Sequence, residues 1–345
     1  MRTWLKELRE TAGYSQYAVA RLAGISQSYY GKSTEPIMMF IEKKAEAFEQ
    51  KAIAPLIFKE STSKNFAEKI TSMTSMNGFQ PVGEGGAYPK DEMQEGFDKI
   101  LEHETWKDQF VITREMVEDA KLLDMNKKPL GFVNGYYRTR EQFAAALLAG
   151  GISGTSVAFG GKSFSTAGAD GKAVFATDHP AKVKGAAQSN KFSDAFSNAA
   201  LGKLETRMQN FTDDNRNILA VTPNTIVIPN DAGLKNDVFE AIGADKDPDT
   251  SNNGFNYQYG RWSVIVWPYL NQFLASGVKP WILMDSTYNE EVGGALWLDR
   301  VKLEVKTWVD NNNDNNVWNG YARFIAGFAD WRFAAVGGIT GATAL

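Results

Sequence analysis

Five short stretches of this sequence carry residue types that could do chemistry, and each lacks a part that its chemistry needs. Gly161-Lys162-Ser163 ends like a phosphate-binding loop, where backbone amides cradle phosphate and a lysine neutralises it. The leading glycine of that pattern falls on Ser156. Gly154-Thr155-Ser156 begins a nucleophile elbow, yet Ala158 stands where its closing glycine belongs. Asp245, Asp247 and Asp249 have the opening spacing of a calcium loop, but Thr250 replaces its glycine and Asn256 its closing glutamate. Asp310, Asn312 and Asp314 fail in the same way at Asn315 and Tyr321. Asp178-His179-Pro180 can be read as an acid–base fragment or as a capped turn, since aspartate ahead of a proline bend is ordinary turn chemistry. The only other histidine is His103, there is no cysteine, and no metal-ligand spacing emerges. Acid, base and nucleophile converge nowhere, so no catalytic, metal or cofactor-binding residue is expected, and no enzyme.

Composition describes a built object instead. The 345 residues, 43% hydrophobic and 12% aromatic, can bury the cores of about two domains. A formal charge of -4 argues against a dedicated nucleic-acid binder, although a local basic patch is compatible with that average. The lack of cysteine excludes disulfides and thiolate zinc sites and leaves the redox compartment open. No apolar run is long enough to cross a membrane and no secretory leader is visible, so synthesis in the cytoplasm without a membrane partner is expected.

Residues 1–37 read as a small helical unit. Trp4, Leu5 and Leu8 share one face, Ser15 caps a helix carrying Ala18, Val19 and Leu22, and Ser26 caps a third after Gly24. From Met38 an amphipathic helix carries Phe40, Ala45 and Phe48, and a second helical stretch is expected from Phe66 to Met73. Gly83-Glu-Gly-Gly-Ala-Tyr-Pro89 signals a loop, followed by an extended hairpin with Phe97, Trp106 and Phe110 set among charges. Thr139-Arg-Glu-Gln142 is a capping box that opens a helix with Phe143, Ala144, Leu147 and Leu148 as its stripe, stopped by Gly150-Gly151. A glycine-containing hairpin is expected from Ser163 to Thr177.

Ser193 is expected to cap a helix bearing Phe196, Ala200, Leu204, Met208 and Phe211. A strand from Ile218 to Ile228, a helix with Leu234, Val238, Phe239 and Ile242, and strands at Trp262–Trp267 and Trp281–Met284 follow, an α/β-like alternation. Leu303, Val305, Thr307 and Val309 alternate with Lys302, Glu304, Lys306 and Trp308, the period of a half-buried strand. Asp310 to Asn316 must be a solvated turn, an aromatic-rich strand runs to Phe328, and Asp330-Trp-Arg-Phe333 ends the pattern in another short strand. This returning hairpin completes a sheet begun earlier, so the chain visits two domains discontinuously.

Four phrases lie in order along this pattern: Phe110-Val-Ile-Thr-Arg-Glu-Met-Val-Glu-Asp119, Val174-Phe-Ala-Thr-Asp-His-Pro180, Val221-Thr-Pro-Asn-Thr-Ile-Val-Ile-Pro229, and Asp330-Trp-Arg332 with Gly337-Gly338. Their ordered combination resembles tailed-phage or prophage major capsid proteins of the Hong Kong 97-type fold, and is similar to Mu-type head subunits. The resemblance covers most of residues 40–345. Residues 5–32 also resemble the helix-turn-helix of phage repressors, by which Gln27, Ser28 and Tyr30 would face DNA. The later helices of that family are missing, which leaves a truncated or vestigial segment as the other reading.

The capsid resemblance implies an α+β fold: a helix-turn-helix-like appendage at 1–37, an N-terminal arm at 38–81 and an extended loop at 82–112. A peripheral domain at 113–189 and 296–345 would carry a long helix at about 128–150, and 190–295 would form an axial domain. The implied function is self-assembly, through hexamers and pentamers, into an icosahedral shell around double-stranded DNA held without sequence preference. Portal and a separate scaffolding protein are the implied partners, with assembly in the host cytoplasm and residence in the virion capsid. Arm and loop carry too few apolar residues to fold alone, so Phe48, Phe66, Phe97, Trp106 and Phe110 are candidates for contact with neighbouring subunits. Three other readings stay open: a bacterial nanocompartment shell of the same fold, a DNA-binding regulator led by residues 1–35, and a hydrolase using Asp178-His179.

Overall fold

The computed structural model describes residues 41, 44, 45, 47–49, 51–74, 76, 78–119, 122–243 and 255–345. The appendage at 1–37, with Gln27, Ser28 and Tyr30, and the acidic run at Asp245–Asp249 lie outside the described residues. Those described between 41 and 49 are helical. In chain order there follow α1 (Ala54–Ile57), β1 (Lys59–Thr62), β2 (Ala67–Met73), β3 (Glu95–Glu102), β4 (Glu104–Ile112), α2 (Arg114–Glu118) and α3 (Leu122–Ser153). Next are β5 (Ser156–Phe159), β6 (Lys162–Ser165), α4 (Asn198–Gln209), β7 (Thr225–Pro229), α5 (Ala232–Gly243) and β8 (Ser263–Trp267). The chain ends with β9 (Trp281–Met284), α6 (Ser286–Val292), β10 (Ala295–Asp310), β11 (Asn315–Phe328) and β12 (Ala334–Gly337). Two compact units result, and α3, β10 and β11 contribute residues to both.

The smaller unit takes its described residues from the chain up to 52, from 105–139 and from 301–323. Its strands lie in the order β10, β11, β4. The core gathers Ile41, Ile112, Phe132, Val133 and Trp318, with Phe48, Phe110, Leu303 and Val305 packed around them. Phe110 stacks on Trp318 with ring centroids 5.1 Å apart, and it meets Phe132 at 5.1 Å. Gly320 makes room for that contact, because a Cβ there would collide with the Phe132 ring. The polar turn between β10 and β11 is tied by local bonds: Asp310 Oδ1 accepts from the Asn312 amide at 3.0 Å, and Asn313 Oδ1 from that of Asn315 at 3.1 Å. Asp314 adopts a left-handed φ of 54°, which aspartate tolerates better than most residues.

The larger unit comprises 53–104, 140–300 and 324–345. Its four-stranded sheet has the order β12, β9, β7, β8, with β7 and β8 parallel and β9 antiparallel to both β7 and β12. All five residues of β7 and all four of β9 are buried, which is why their sequences are continuous apolar runs rather than alternations. Elsewhere in the unit β1 runs parallel to the start of β10, with Lys59 opposite Leu296. Phe58, Phe143, Trp297, Phe324, Phe328 and Phe333 are each buried nearby. Burying such side chains stabilises a fold by about 1.5–3 kcal/mol each.

Two adjacent residues of α3 tie distant segments of this unit together. The Arg140 guanidinium lies 4.5 Å above the Trp297 ring and bonds Asp299 and Glu60, each at 2.9 Å. Glu141 Oε1 accepts from the amides of Ile53 and Ala54, both at 2.9 Å, and Oε2 from the Trp267 indole at 3.0 Å. Helix α1 has no side-chain cap of its own, so Glu141 satisfies amides at its N-terminus. Burial pushes the Glu141 carboxyl above its ordinary range, against the pull of those three donors. Near the C-terminus, Arg332 bonds Asp214 at 2.9 Å, Asp330 at 3.2 Å and the Thr212 carbonyl at 2.9 Å, and Tyr288 donates to Asp330 at 3.1 Å. That network accounts for the Asp-Trp-Arg phrase.

Several expected elements differ. Residues 67–73 form strand β2 rather than a helix; Ile70 and Met73 have helical spacing, but pairing with β3 decides the conformation. Thr139 does not open a helix: α3 is already running from Leu122, and the Thr139 hydroxyl donates back to the Gly135 carbonyl at 2.9 Å. Gly150-Gly151 do not stop α3, which reaches Ser153. They are small because Val157 and Thr166 crowd the first and Val174 the second. Ser197, not Ser193, caps α4, through the Ala200 amide at 3.1 Å. The hairpin expected at 163–177 is present as a tight antiparallel turn in which Ala167 pairs with Ala173, a second hairpin of β5 and β6 precedes it, and the strand expected from Ile218 is confined to 225–229. The closing strand is not 330–333 but β12, and it pairs with β9 beside β7 rather than with the β10–β11 hairpin.

The Glu141 contacts predict a specific weakness. Glu141→Gln keeps the shape but turns a donor toward either the Trp267 indole or the α1 amides. A loss of about 1–3 kcal/mol in unfolding free energy is expected, read as a lower denaturant midpoint with an unchanged slope. An unchanged midpoint would show that the carboxylate carries no structural role.

Candidate functional site

The chemical fragments of the sequence resolve into structural turns. Gly160 and Gly161, at φ 57° and 80°, form the two-residue turn joining β5 to β6, where both positions need left-handed backbone. Lys162 therefore sits on a strand and pairs with Glu104 at 2.6 Å. Asp178 is exposed and paired with Lys172 at 2.5 Å, and that lysine holds its carboxyl below the ordinary range. His179 is buried and stacks on Trp331 at 4.2 Å, with Nδ1 2.6 Å from Asp170 and Nε2 3.0 Å from Asn190 Oδ1. Asn190 in turn donates to the carbonyls of Val174, Trp331 and Ala334. The neighbours Asp178 and His179 thus have separate partners, and the histidine works as a buried tie. Among the described residues no group of three or more histidines, aspartates or glutamates could hold a metal ion.

The exposed apolar surface is where the chain is incomplete. β2 and β3 form an antiparallel ribbon, from Ala67 opposite Glu102 to Met73 opposite Glu95, with a bulge between Thr71 and Met73. The Thr74 amide donates to Gln94 O, and the Gln94 amide to Thr74 Oγ1, each at 2.9 Å, which closes the ribbon. Beyond this closure the described residues form no helix or strand until β3. They include the exposed Met76, Phe79, Val82, Tyr88 and Met93, with Tyr88 96% exposed and Phe79 fully so. Phe66, Met73 and Ile100 add to this on the ribbon. A ribbon this apolar cannot bury its own side chains, because two strands have no third layer. Lys99 anchors it to the same unit, donating to Ser165 Oγ at 3.0 Å and to the Ala167 carbonyl at 2.7 Å. Lys182 bonds the Gly96 carbonyl and lies 5.7 Å from the Phe97 ring.

The five expected contact residues are not one cluster. Phe66 is 62% exposed on the ribbon, and Phe97 is half-buried under Lys182. Trp106 is half-buried on β4. Phe110 lies against the core of the smaller unit, and Phe48 stacks on Tyr137 at 5.6 Å. Sequence reasoning did not single out Phe79, Tyr88, Met73 and Ile100. For Phe79 and Tyr88 the signal was available, since apolar residues between Gly78 and Pro89 fall in no periodic element.

A long helix, a two-unit chain that revisits its first part, and an extended ribbon with unburied aromatics define a Hong Kong 97-type shell subunit. The phage capsid protein family matches residues 98–337, so this chain belongs to that family and is a major capsid protein of a phage head. A helix-turn-helix family matches residues 5–32. None of the curated proteins matches the chain in sequence. Among solved structures, a chain from Mycobacterium phage Patience is similar in fold, with a TM-score of 0.50 at 10% identity over 88% of this chain and 86% of that one. The capsid of cyanophage P-SCSP1u has a TM-score of 0.48 at 9% identity over 82% and 86%. A virus-like particle from Pyrococcus furiosus has 0.46 at 9% over 88% and 97%.

Gly96 tests the ribbon. A Cβ there would collide with Ser72 Oγ and come within 3.2 Å of the Ser72 carbonyl. Gly96→Val should open the β2–β3 pairing while leaving both cores intact. Hydrogen exchange of the ribbon amides is expected to speed up ~10-fold, a local loss of about 1.4 kcal/mol, with the thermal midpoint unchanged. Equal protection in variant and parent would contradict the assignment.

Proposed function

We propose that this chain builds an icosahedral head from hexamers and pentamers of itself, by laying its ribbon and loop, residues 67–102, on neighbouring subunits. The observation that carries the proposal is the loop: Phe79 and Tyr88 stand in solvent on the single chain, and burial against another copy would remove that apolar surface from water. The arm at 38–81 and the loop counted from 82 to 112 act as the intersubunit elements, with the loop's hairpin starting at β2. Phe66 remains a contact candidate with Phe97 and Trp106, whereas Phe48 and Phe110 find cover within the smaller unit. The ranges 113–189 with 296–345, and 190–295, stand as peripheral and axial parts, with the qualification that β12 joins the sheet of β7 to β9. The helix-turn-helix match at 5–32 supports reading residues 1–37 as an appendage apart from the shell elements.

Assembly takes place in the host cytoplasm, with a portal and a separate scaffolding protein, around double-stranded DNA and without enzymatic activity. Conversion of Phe79 and Tyr88 together to serine should abolish shells in negative-stain micrographs while leaving the melting of the unassembled subunit unchanged. Normal shells from that variant would sink the loop assignment. Uniform shells formed efficiently by this chain alone would count against the separate scaffold.

A further inference from the structure

The sheet of the smaller unit has two faces of opposite chemistry. Leu303, Val305, Trp318, Phe110 and Ile112 pack into one core, so they mark the inner face of β10, β11 and β4. Side chains alternate across a strand, which puts Lys302, Glu304, Lys306 and Trp308 of β10 on the other face. The same alternation places Tyr321 and Arg323 of β11 and Lys107 of β4 there. The Lys107 ammonium lies 5.9 Å from the Tyr321 ring centroid, which shows that these two strands share that face. Lys107, Lys302 and Lys306 are exposed, and Trp308 is 50% exposed among them.

These cations differ from the surface lysines that carboxylates hold. Lys162, Lys172 and Lys279 are each held by a carboxylate, Glu104, Asp178 and Asp231, at 2.6, 2.5 and 3.0 Å. Lys107, Lys302, Lys306 and Arg323 form no ion pair with any described residue. Within the face the carboxylates are Glu304 and, at the hairpin tip, Asp310, whose Oδ1 is already engaged by the Asn312 amide. Four uncompensated cations gather on three neighbouring strands of a chain whose formal charge is -4.

We propose that this face binds the phosphate backbone of double-stranded DNA without reading its sequence. Lysines on flexible stems suit that task, because they neutralise phosphates as point charges and release condensed counterions. Three of the four cations are lysines and Arg323 is half-buried, so point charges dominate the face. The proposal rests on the shell reading for where the DNA comes from, and it can fail separately from it.

The test measures binding of unassembled full-length protein to a mixed-sequence DNA duplex on the order of 30 base pairs, by fluorescence anisotropy across a salt series. Lys107→Gln, Lys302→Gln and Lys306→Gln are combined in one variant. Lys162→Gln, Lys172→Gln and Lys279→Gln form a control with the same change in net charge. The face variant should bind ~10-fold more weakly and flatten the plot of log affinity against log salt by about 2–3 units, near 0.9 per lost phosphate contact. The control should keep the parent's slope.

No binding by the parent, equal slopes in parent and face variant, or an equal loss in both variants would overturn the proposal. A face variant that keeps DNA binding but no longer forms shells would make this face a contact between subunits, and that too overturns it. Failure of the parent itself to form shells, with the salt slopes as expected, would sink the shell reading and leave the DNA-binding face standing.

Discussion

A half-buried carboxylate that three donors share holds the larger unit together. Glu141 stands on α3 and reaches the first turn of α1 and the indole of Trp267 at the end of β8. Helix, arm and sheet are far apart in sequence, and one side chain meets a donor from both of the others. Burial alone disfavours the ionised carboxyl, so the site is stable only because the donors arrive together. Arg140, one residue earlier, repeats the arrangement with the opposite charge and binds the arm's β1 to β10 through Glu60 and Asp299. The adjacent pair makes α3 a spine in the mechanical sense: segments leave and return to it.

The sequence was most legible where one physical demand dominated. Buried strands such as β7 and β9 announce themselves as unbroken apolar runs, and the alternation of Leu303 to Val309 fixed which side of β10 faces the core. The turn at 310–316 was legible because a run without an apolar residue must be solvated. Misreadings arose where two demands compete for the same residue type. Gly150 and Gly151 look like a helix stop, yet their lack of a side chain serves close packing against Val157 and Val174. Thr139 followed by Gln142 looks like a cap, yet a helix already running gives its hydroxyl a different acceptor. Ile70 and Met73 have helical spacing, and only the presence of β3 makes them strand.

The contact surface was legible in kind but not in place. Charge-flanked aromatics at Phe97, Trp106 and Phe110 signal a segment without its own core, but they do not say which ring finds cover within the subunit. Phe110 finds Trp318, and Phe97 finds the Lys182 stem and ammonium. Phe79 and Tyr88, between glycines and prolines, find no cover among the described residues. A basic face was allowed by the composition and invisible in it, because the net charge of -4 averages unpaired lysines with many paired ones.

The pairing of Lys59 with Leu296, and of Val336 with Ile282, also governs the order in which the molecule can come into being. Both four-stranded sheets take strands from residues beyond 280, so neither can close before those residues are made. Contacts of such long sequence separation make folding slow and late. Helix α3 and the hairpin of β5 and β6, built from local contacts, can form first and wait. Strand β1 is made long before its partner β10 and stays unpaired until β10 arrives.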